Sequence, residues 1–332
     1  MPRAFFWRRL HSLLGLWLVI FLIEHLLTNS QAALFIGDDG QGFIHAVNFL
    51  HSLPYLPVIE TVLLGGPIVF HAVWGIKYIF TAKANSGKSD GSKPSLGEYT
   101  RNRAYTWQRI SSWVLIVGII IHVVQMRFVN FPATADKDGE HYFMVRVTLD
   151  EGLYTVADRL GVELYDQVRI NDAKKGLSQR RFSSEAKRIE VNEATLGLLW
   201  SPEGVAYNSE QAKRLQQQQR GQQQLEWVNA LEQRPLRGGD VIAVSNEFGK
   251  AVLLMVRDTF KIPYMIVLYS VFVILAVFHA FNGLWTFLIT WGLILTQASQ
   301  IIMRRLSLGL MLLLGSLGLA AAWMTYWINL RL

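Results

Sequence analysis

The sequence predicts an all-α integral membrane protein with five transmembrane helices and a small α+β insertion on the extracytoplasmic side. Of 332 residues, 51% are hydrophobic and 17% are charged, and 11 are tryptophan. This composition is more apolar and more aromatic than that of an ordinary soluble enzyme. The apolar residues form five runs, each long enough to cross ~30 Å of hydrocarbon. The runs are 13–27, 56–80, 110–126, 262–295 and 306–330.

The first and fourth runs need separate comment. Basic residues precede the first run, as in a secretory signal, but no small-residue cleavage site follows and the run ends in Glu24 and His25. We therefore interpret it as a retained span. The fourth run is too long for one crossing, so we expect its last turns, Leu284 to Leu295, to project beyond the hydrocarbon or to tilt.

The basic residues predict the orientation of the spans. They are concentrated before the first span, between the second and third, and between the fourth and fifth. The connection between the first and second spans has no Lys or Arg, and its charged residues are Asp38 and Asp39. Short cytoplasmic loops are rich in Lys and Arg. The N-terminus is therefore expected inside and the C-terminus outside. The basic residues that predict this orientation are Arg3, Arg8, Arg9, Lys77, Lys83, Lys88, Lys93, Arg101, Arg103, Arg109, Arg304 and Arg305.

A long polar segment separates the third and fourth spans, so we divide the chain into 1–129, 130–250 and 251–332. Because long loops cross the membrane largely regardless of charge, the segment is expected outside. Its pattern predicts a strand at His141 to Leu149, a helix at Glu151 to Leu160 and a polar helix or linker at Arg214 to Gln224. Phe248 to Phe260 is predicted as an amphipathic helix on the outer surface.

Two properties of the composition exclude classes of function. With 0 cysteines, the chain can hold neither an iron–sulfur cluster, a covalently attached c-type haem nor a disulfide. The pI of about 9.6 alone would suggest nucleic acid, but the basic residues border the spans and do not form a patch interleaved with aromatic side chains. Membrane topology explains this charge better.

Four of the 8 histidines fall within the spans, one in each of the first four: His25, His71, His122 and His279. An imidazole in hydrocarbon is costly unless it is paired, so a histidine there indicates function. A single such residue could equally form a hydrogen bond to a neighbouring helix. Four on four helices favour a shared role.

The depths of these histidines divide them into two pairs. Counted from the cytoplasmic ends of their spans, His25 and His122 lie ~24 and ~20 Å deep, in the outer half. Counted from the outer ends, His71 and His279 lie ~21 and ~24 Å deep, in the inner half. Two pairs at two depths are what a four-helix bundle needs to hold two haems b between neutral imidazoles.

The same spans carry motifs that resemble the dihaem cytochrome b subunit of bacterial succinate:quinone oxidoreductases, the membrane anchor of succinate dehydrogenase or fumarate reductase. The motifs are RRLHSLLG and FLIEHLL in the first span, FHAVWGIKYIFTAK in the second, QR and HVV in the third, and FHAFNGLWTFLITWG in the fourth. The resemblance covers roughly residues 1–129 and 250–332. The insertion departs from it, since the family usually has a much shorter connection there.

The resemblance implies a flavoprotein subunit and an iron–sulfur subunit docked on the cytoplasmic face. It implies that His71 and His279 ligate the inner haem and that His25 and His122 ligate the outer haem. His11 and Ser12 match residues near the inner haem's propionates. Gln108 and Arg109 are further candidates there, although a polar helix end with a snorkelling arginine explains them equally well.

Quinone chemistry requires a group that can relay protons near a haem. Within or bordering the spans, the acidic residues are Glu24 and Glu60, and the topology places both in the outer half. We therefore expect a quinone, menaquinone by preference, to react near the outer haem. His45 and His51 are weaker candidates, since a capping or interface role explains each of them more simply.

The sequence thus predicts a multi-pass protein of the bacterial cytoplasmic membrane that transfers electrons between succinate or fumarate subunits and quinone. It would belong to an oxidoreductase without containing the dicarboxylate site. Two alternatives remain open. One is the cytochrome b subunit of a hydrogenase or formate dehydrogenase, which co-purifying subunits would distinguish. The other is a haem-free transporter or anchor, although the internal repeats typical of transporters are not evident.

Overall fold

The computed structural model describes residues 3–81, 100–177 and 204–332. These residues form two compact units. The membrane unit comprises Met1–Val129 and Thr259–Leu330, and the insertion unit comprises Asn130–Asp258 and Arg331–Leu332. Two regions used in the sequence analysis, Lys83 to Lys93 and 178–203, lie outside the described residues.

Helices dominate the described chain, and four short strands form one sheet. In chain order the elements are α1 (Arg3–Leu34), α2 (Gln41–His51), α3 (Leu56–Ile59), α4 (Gly66–Thr81), α5 (Thr100–Val123), β1 (Ala133–Lys137), β2 (Glu140–Thr148), α6 (Leu153–Leu160), β3 (Glu163–Tyr165), α7 (167–177), α8 (Gly204–Glu232), β4 (Asp240–Ser245), α9 (Phe248–Phe260), α10 (Pro263–Thr290) and α11 (Gln297–Met324). Three π-helical segments, Glu60–Gly65, Val124–Val129 and Thr325–Asn329, follow α3, α5 and α11.

Five helical stretches of the described chain are long and apolar enough to cross a membrane. This finding supports the prediction of a multi-pass membrane protein. The stretches are Phe5–Leu34, Leu56–Tyr78, Thr100–Val129, Pro263–Thr290 and Gln297–Asn329. Three of the five extend beyond their apolar runs, because Arg and Gln at the margins are also good helix formers.

The connection between the last two spans differs from expectation. α10 ends at Thr290, followed by a turn in which Gly292 has φ +72°, so the helix stops short of Leu295. Thr296 then caps α11, accepting a hydrogen bond from the Ser299 amide at 3.2 Å. Arg304 and Arg305 lie on α11 itself, not in the loop where the sequence placed them.

α1, α10 and α11 form the apolar core of the membrane unit. At Gly318 of α11 the three helices approach closely, because a Cβ there would lie 2.8 Å from Val273 and 2.9 Å from Leu26. A glycine at this point lets the three helices pack together. The buried core residues are Val19, Leu26, Val277, Phe281 and Leu314.

α2 is a helix in the connection between the first two spans, where the sequence pattern predicts no helix. Asp39 and Gly40 adopt positive φ angles of 53° and 69°, which turn the chain back after α1. Phe43 and Ile44 are then buried, at 2% and 0% exposure. The short helix is stable because this apolar face packs on α1.

In the insertion unit, the strands form an antiparallel sheet in the order β1-β2-β4-β3. Asp138 and Gly139, at φ 54° and 88°, form the two-residue turn between β1 and β2. The predicted strand, the helix after it and the polar helix all occur, as β2, α6 and α8. This part of the α+β prediction is therefore confirmed.

One face of the sheet packs against α7 and α8. Met144 and Ile242 of the sheet share a buried cluster with Trp227 and Leu231 of α8 and with Ile170 of α7. Neighbouring strand residues point to the opposite face. There Phe143 contacts Phe248 of α9, with ring centroids 5.3 Å apart. The sheet is therefore covered on both sides.

α9 has the predicted bounds, and most of its residues are buried. Leu253 and Leu254 are 0% exposed and Arg257 is 1% exposed, so the helix does not present an open polar face. Arg257 is neutralised by Asp150, with both guanidinium contacts at 2.7 Å. A buried charge is tolerated when it is paired in this way.

A close backbone approach completes the insertion unit. A Cβ at Gly152 would overlap the carbonyl oxygen of Arg331, so only glycine fits there. Arg159 Nη1 donates to the carbonyl of Leu332 at 2.9 Å. Residues 331 and 332, which follow α11, are thus part of the insertion unit.

Candidate functional site

Four helices of the membrane unit bring four histidines together as two pairs. His25 of α1 and His122 of α5 have ring centroids 5.9 Å apart and ring planes at 81°. His71 of α4 and His279 of α10 have ring centroids 6.3 Å apart and ring planes at 78°. These are the two pairs that depth along the helices predicted. Each pair joins two different helices.

The spacing within each pair fits two axial ligands on one metal ion. An imidazole nitrogen binds a metal at about 2 Å and its ring centre lies roughly 1 Å further back, so two opposed ligands have centres about 6 Å apart. The described residues contain no group of three or more His, Cys, Asp or Glu that could hold a metal. Haem needs only two axial ligands because the porphyrin supplies the rest. The donor set therefore fits haem.

Hydrogen bonds orient both members of the His71–His279 pair. The Nδ1 atom of His71 donates to the carbonyl oxygen of His11 at 3.0 Å. Because a carbonyl can only accept, Nε2 of His71 keeps its lone pair. The Nδ1 atom of His279 lies 3.2 Å from Oγ of Ser111. Metal-ligating histidines usually hold their second nitrogen in this way.

The His25–His122 pair has mainly aromatic neighbours. Nδ1 of His122 lies 3.1 Å from the hydroxyl of Tyr269. The rings of Phe272 and His122 have centroids 5.9 Å apart, and Phe21 stacks on His25 at 5.4 Å. The aromatic side chains enclose this pair, and the hydroxyl of Tyr269 gives it one polar contact.

Glycines allow close packing beside each pair. A Cβ at Gly15 would lie 2.9 Å from Cε1 of His71, so this position on α1 leaves room for the imidazole. A Cβ at Gly118 would lie 2.7 Å from the ring of Phe272, which in turn contacts His122. The small size of Gly15 therefore makes room for a histidine directly, whereas that of Gly118 makes room for a phenylalanine that contacts a histidine.

His11, expected with Ser12 near the inner haem's propionates, lies beside the His71–His279 pair. The ring of His11 stacks on that of His71, with centroids 4.0 Å apart and planes at 12°. Its Nδ1 is buried and has no hydrogen-bond partner among the described residues. Ser12 Oγ accepts a hydrogen bond from Trp291 Nε1 at 3.2 Å. His11 thus retains an unsatisfied polar atom next to the pair.

Gln108 joins α5 to α10 at the same level. Its Nε2 donates to the carbonyl of His279 at 2.9 Å, and its Oε1 accepts from Asn282 at 2.8 Å. Both ends of the amide are therefore engaged with α10. Arg109 follows on α5 and is half-buried. Gln108 positions the backbone of the His279 turn, a contact different from the expected role in anion binding.

The two candidate carboxylates have different partners. Glu24 is exposed beside His25 and accepts a hydrogen bond from Thr28 at 2.8 Å. Glu60, at the first position of a π-helical segment, forms an ion pair with Arg127 at 2.8 Å. Arg127 lies in the π-helical segment that follows α5. π-Helical turns often occur at functional sites.

The weaker candidates His45 and His51 both lie on α2. His45 is exposed and His51 is the last residue of the helix. The described contacts place neither of them in a histidine pair. They remain on the connection between the first two spans.

The sequence analysis did not identify Ser111, Tyr269 or Arg127. Each is a polar residue of a predicted span or its margin, a signal that many structural residues share. Their partners are distant in sequence, for example 168 residues for Ser111 and His279. Predicting these contacts requires knowing how each helix is rotated about its axis, which a single sequence does not specify.

The fold and the site together define a helical multi-pass membrane protein with two pairs of facing histidines. The chain is 36% identical over 126 residues to the succinate dehydrogenase cytochrome b558 subunit of Bacillus subtilis (strain 168). The match covers 38% of this chain and 56% of that relative, so the chain spans just over half of the relative's length. No family model and no solved structure matches the chain. The resemblance to a succinate dehydrogenase cytochrome b subunit is therefore supported over part of its length.

Proposed function

We propose that this chain is the dihaem cytochrome b anchor subunit of a succinate:quinone oxidoreductase. It would carry electrons between succinate or fumarate subunits and membrane quinone. The observation that carries the proposal is the presence of two histidine pairs, each joining two helices, with ring centroids 5.9 and 6.3 Å apart. The relative named as a succinate dehydrogenase cytochrome subunit supports the same assignment.

In this proposal, His25 and His122 hold one haem b, and His71 and His279 hold the other. Neutral imidazole binds through Nε2, which the hydrogen bond from His71 to the His11 carbonyl leaves free. The haems, when bound, supply reversible one-electron chemistry at two depths. The apolar helices around them exclude water from the ligating nitrogens. His11 has the chemistry to contact a propionate with its unsatisfied Nδ1.

The partners proposed are a flavoprotein subunit and an iron–sulfur subunit on the cytoplasmic face. Arg8 and Arg9 at the start of α1 and Arg101 and Arg103 at the start of α5 lie at the end nearer the His71–His279 pair. With positive residues inside, this pair is the inner one. The N-terminus is then cytoplasmic, and the C-terminus and residues 130–250 are extracytoplasmic. The protein is placed in the bacterial cytoplasmic membrane.

Quinone, with menaquinone preferred, is proposed to react near the His25–His122 pair. Quinone reduction takes up two protons, so the site requires a group that exchanges protons with water. Glu24 neighbours His25, and Glu60 is held by Arg127 at the end of α5 beyond His122. These carboxylates are the proton relay in this proposal. Arg127 would hold Glu60 in one orientation.

The deciding experiment is purification of the complex from membranes in mild detergent, with identification of the subunits and measurement of haem. Two non-covalent haems b per chain, a reduced spectrum typical of bis-histidine iron, and flavoprotein and iron–sulfur partners of a succinate dehydrogenase are expected. Hydrogenase or formate dehydrogenase subunits in their place would change the assignment. A haem content near zero in iron-replete cells would refute it and favour a haem-free transporter or anchor.

A further inference from the structure

α5 and α10 each carry one histidine of a pair and one hydroxyl group that contacts the histidine of the other helix. Ser111 of α5 lies 3.2 Å from Nδ1 of His279 on α10. Tyr269 of α10 lies 3.1 Å from Nδ1 of His122 on α5. On each helix, the hydroxyl and the histidine are roughly 15 Å apart along the axis. The two helices therefore support each other's histidine at both levels.

The direction of the Ser111 contact follows from its second hydrogen bond. Ser111 Oγ donates its proton to the carbonyl of Gln108 at 3.0 Å, so it can only accept from His279. Nδ1 of His279 is then the donor, and Nε2 keeps the lone pair that a metal needs. If His122 also ligates through Nε2, its Nδ1 must donate to Tyr269 in the same sense.

We propose that Ser111 and Tyr269 are positioning residues, one for each haem: Ser111 orients His279, and Tyr269 orients His122. This proposal rests on the proposed dihaem function. A hydrogen bond from Nδ1 fixes the tautomer and the ring rotation of a ligand and raises the basicity of its other nitrogen. A more basic axial ligand stabilises ferric iron. Removing either hydroxyl therefore raises the midpoint potential of one haem and leaves that of the other unchanged.

The test uses Tyr269→Phe and Ser111→Ala in the complete membrane complex. Tyr269→Phe keeps the ring that contacts Phe260 at 5.1 Å, so the main change is loss of the hydroxyl. Haem per chain, optical redox titration and low-temperature electron paramagnetic resonance are measured for each variant. We expect Tyr269→Phe to raise the potential and change the g values of the His25–His122 component. Ser111→Ala should do the same to the His71–His279 component. We expect each substitution to weaken the affinity of its own site for haem about 10-fold.

Matched controls lie next to both residues. Ser112 donates to the carbonyl of Arg109 at 2.7 Å, the same local bond that Ser111 makes to Gln108, but it has no contact with His279 among the described hydrogen bonds. Tyr264 is 64% exposed on the same helix as Tyr269. Ser112→Ala and Tyr264→Phe should leave both potentials unchanged. Ser111→Thr, which keeps a hydroxyl, should retain the spectrum that Ser111→Ala loses.

The outcomes separate this proposal from the function on which it rests. Two haems in the unsubstituted complex with unchanged potentials in both variants would overturn the positioning roles alone. The positioning roles would also be overturned by equal shifts of both components or by a shift in the component of the other pair. Loss of both haems from Tyr269→Phe, when Tyr264→Phe retains them, would overturn them too. An unsubstituted complex without two bis-histidine haems would overturn the proposed function and the positioning roles with it.

Discussion

The two histidine pairs have similar ring separations, 5.9 and 6.3 Å, but different surroundings. Around His71 and His279, directional polar contacts dominate: one histidine donates to a backbone carbonyl of α1 and the other contacts a hydroxyl of α5. A side-chain amide of α5 also binds the backbone of the His279 turn. Three contacts from two neighbouring helices, α1 and α5, thus fix the positions of these two rings.

Around His25 and His122, aromatic rings dominate. Phe21, Phe272 and Tyr269 lie against the two imidazoles, with ring centroids 5.4 to 5.9 Å away. Aromatic packing contributes apolar contact but constrains rotation less than a hydrogen bond does. The comparison indicates that hydrogen bonds predominate at the first site and aromatic packing at the second, where Tyr269 adds one hydrogen bond to His122. Substitutions at the two sites should therefore differ in the size of their effects.

The largest expected effect is the loss of one complete haem. His71→Ala or His279→Ala should remove one redox component, and His25→Ala or His122→Ala should remove the other, because each pair ligates one haem in the proposed function. A redox titration of the purified complex measures which haem component each variant has lost. His141→Ala, an exposed histidine of the insertion unit, is the control and should keep both components. If His25 and His71 variants lost the same component, the pairing would be wrong.

The next effect distinguishes the pairs by their access to protons. Glu60→Gln and Glu24→Gln should each slow quinone reduction by about 100-fold or more, since proton relay contributes this much to catalysis. Arg127→Gln should act in the same direction because it releases Glu60. Both haems and succinate oxidation with a soluble acceptor should survive. Glu226→Gln on α8, an exposed carboxylate, provides the control.

Unchanged quinone reductase activity in both glutamate variants would contradict this assignment. Quinone or inhibitor bound beside His11 and Arg109 would then place the reaction at the other pair. Electrons would need to reach only the His71–His279 level. The His25–His122 haem would have no part in quinone reduction.

A smaller effect is expected from adding one methyl group near each pair. Gly15→Ala places a Cβ 2.9 Å from His71 itself, and overpacking of this kind costs about 1–3 kcal/mol. Gly118→Ala presses on Phe272, which can rotate before His122 must move. Haem occupancy should therefore fall more in Gly15→Ala. Gly309→Ala, with nothing within 4 Å, should match the unsubstituted chain. Equal losses from the first two variants would show that Gly118 constrains His122 through Phe272 as tightly as Gly15 constrains His71.

The smallest effect concerns two carbonyls. Gln108→Leu removes the bond from α5 to the His279 carbonyl, whereas Asn29→Leu removes a bond of 2.8 Å to the His25 carbonyl within α1. A hydrogen bond contributes about 1 kcal/mol, and a bond between helices also restrains their relative position. The temperature at which haem is lost should fall more for Gln108→Leu. Thermal release followed optically, component by component, measures the difference. A larger loss in Asn29→Leu would refute the distinction.

Depth along each helix was predictable from the sequence, but rotation about its axis was not. A rise of about 1.5 Å per residue was enough to match His25 with His122 and His71 with His279. The hydroxyl contacts of Ser111 and Tyr269 depend on which side of α5 faces α10. That side is fixed by packing such as the approach of Gly118 to Phe272, and a composition pattern carries little information about it.

The same limit applies elsewhere in the fold. The pattern predicted β2, α6 and α9 from local periodicity and apolar content. It gave no indication of what surrounds Arg257 within α9. The partner that neutralises this charge, Asp150, lies 107 residues earlier. Similarly, α2 is held by packing on α1 and not by strong local propensity.

The close approach of Gly152 to Arg331 gives the insertion unit an order of assembly. The sheet and α6 to α9 are synthesised before α10 and α11, but the backbone that closes over Gly152 emerges only after both spans. Until then Gly152 lacks that neighbour and Arg159 lacks its acceptor on Leu332. The unit reaches its final packing only after the ribosome has completed the last two membrane helices. Its maturation is therefore coupled in time to their insertion.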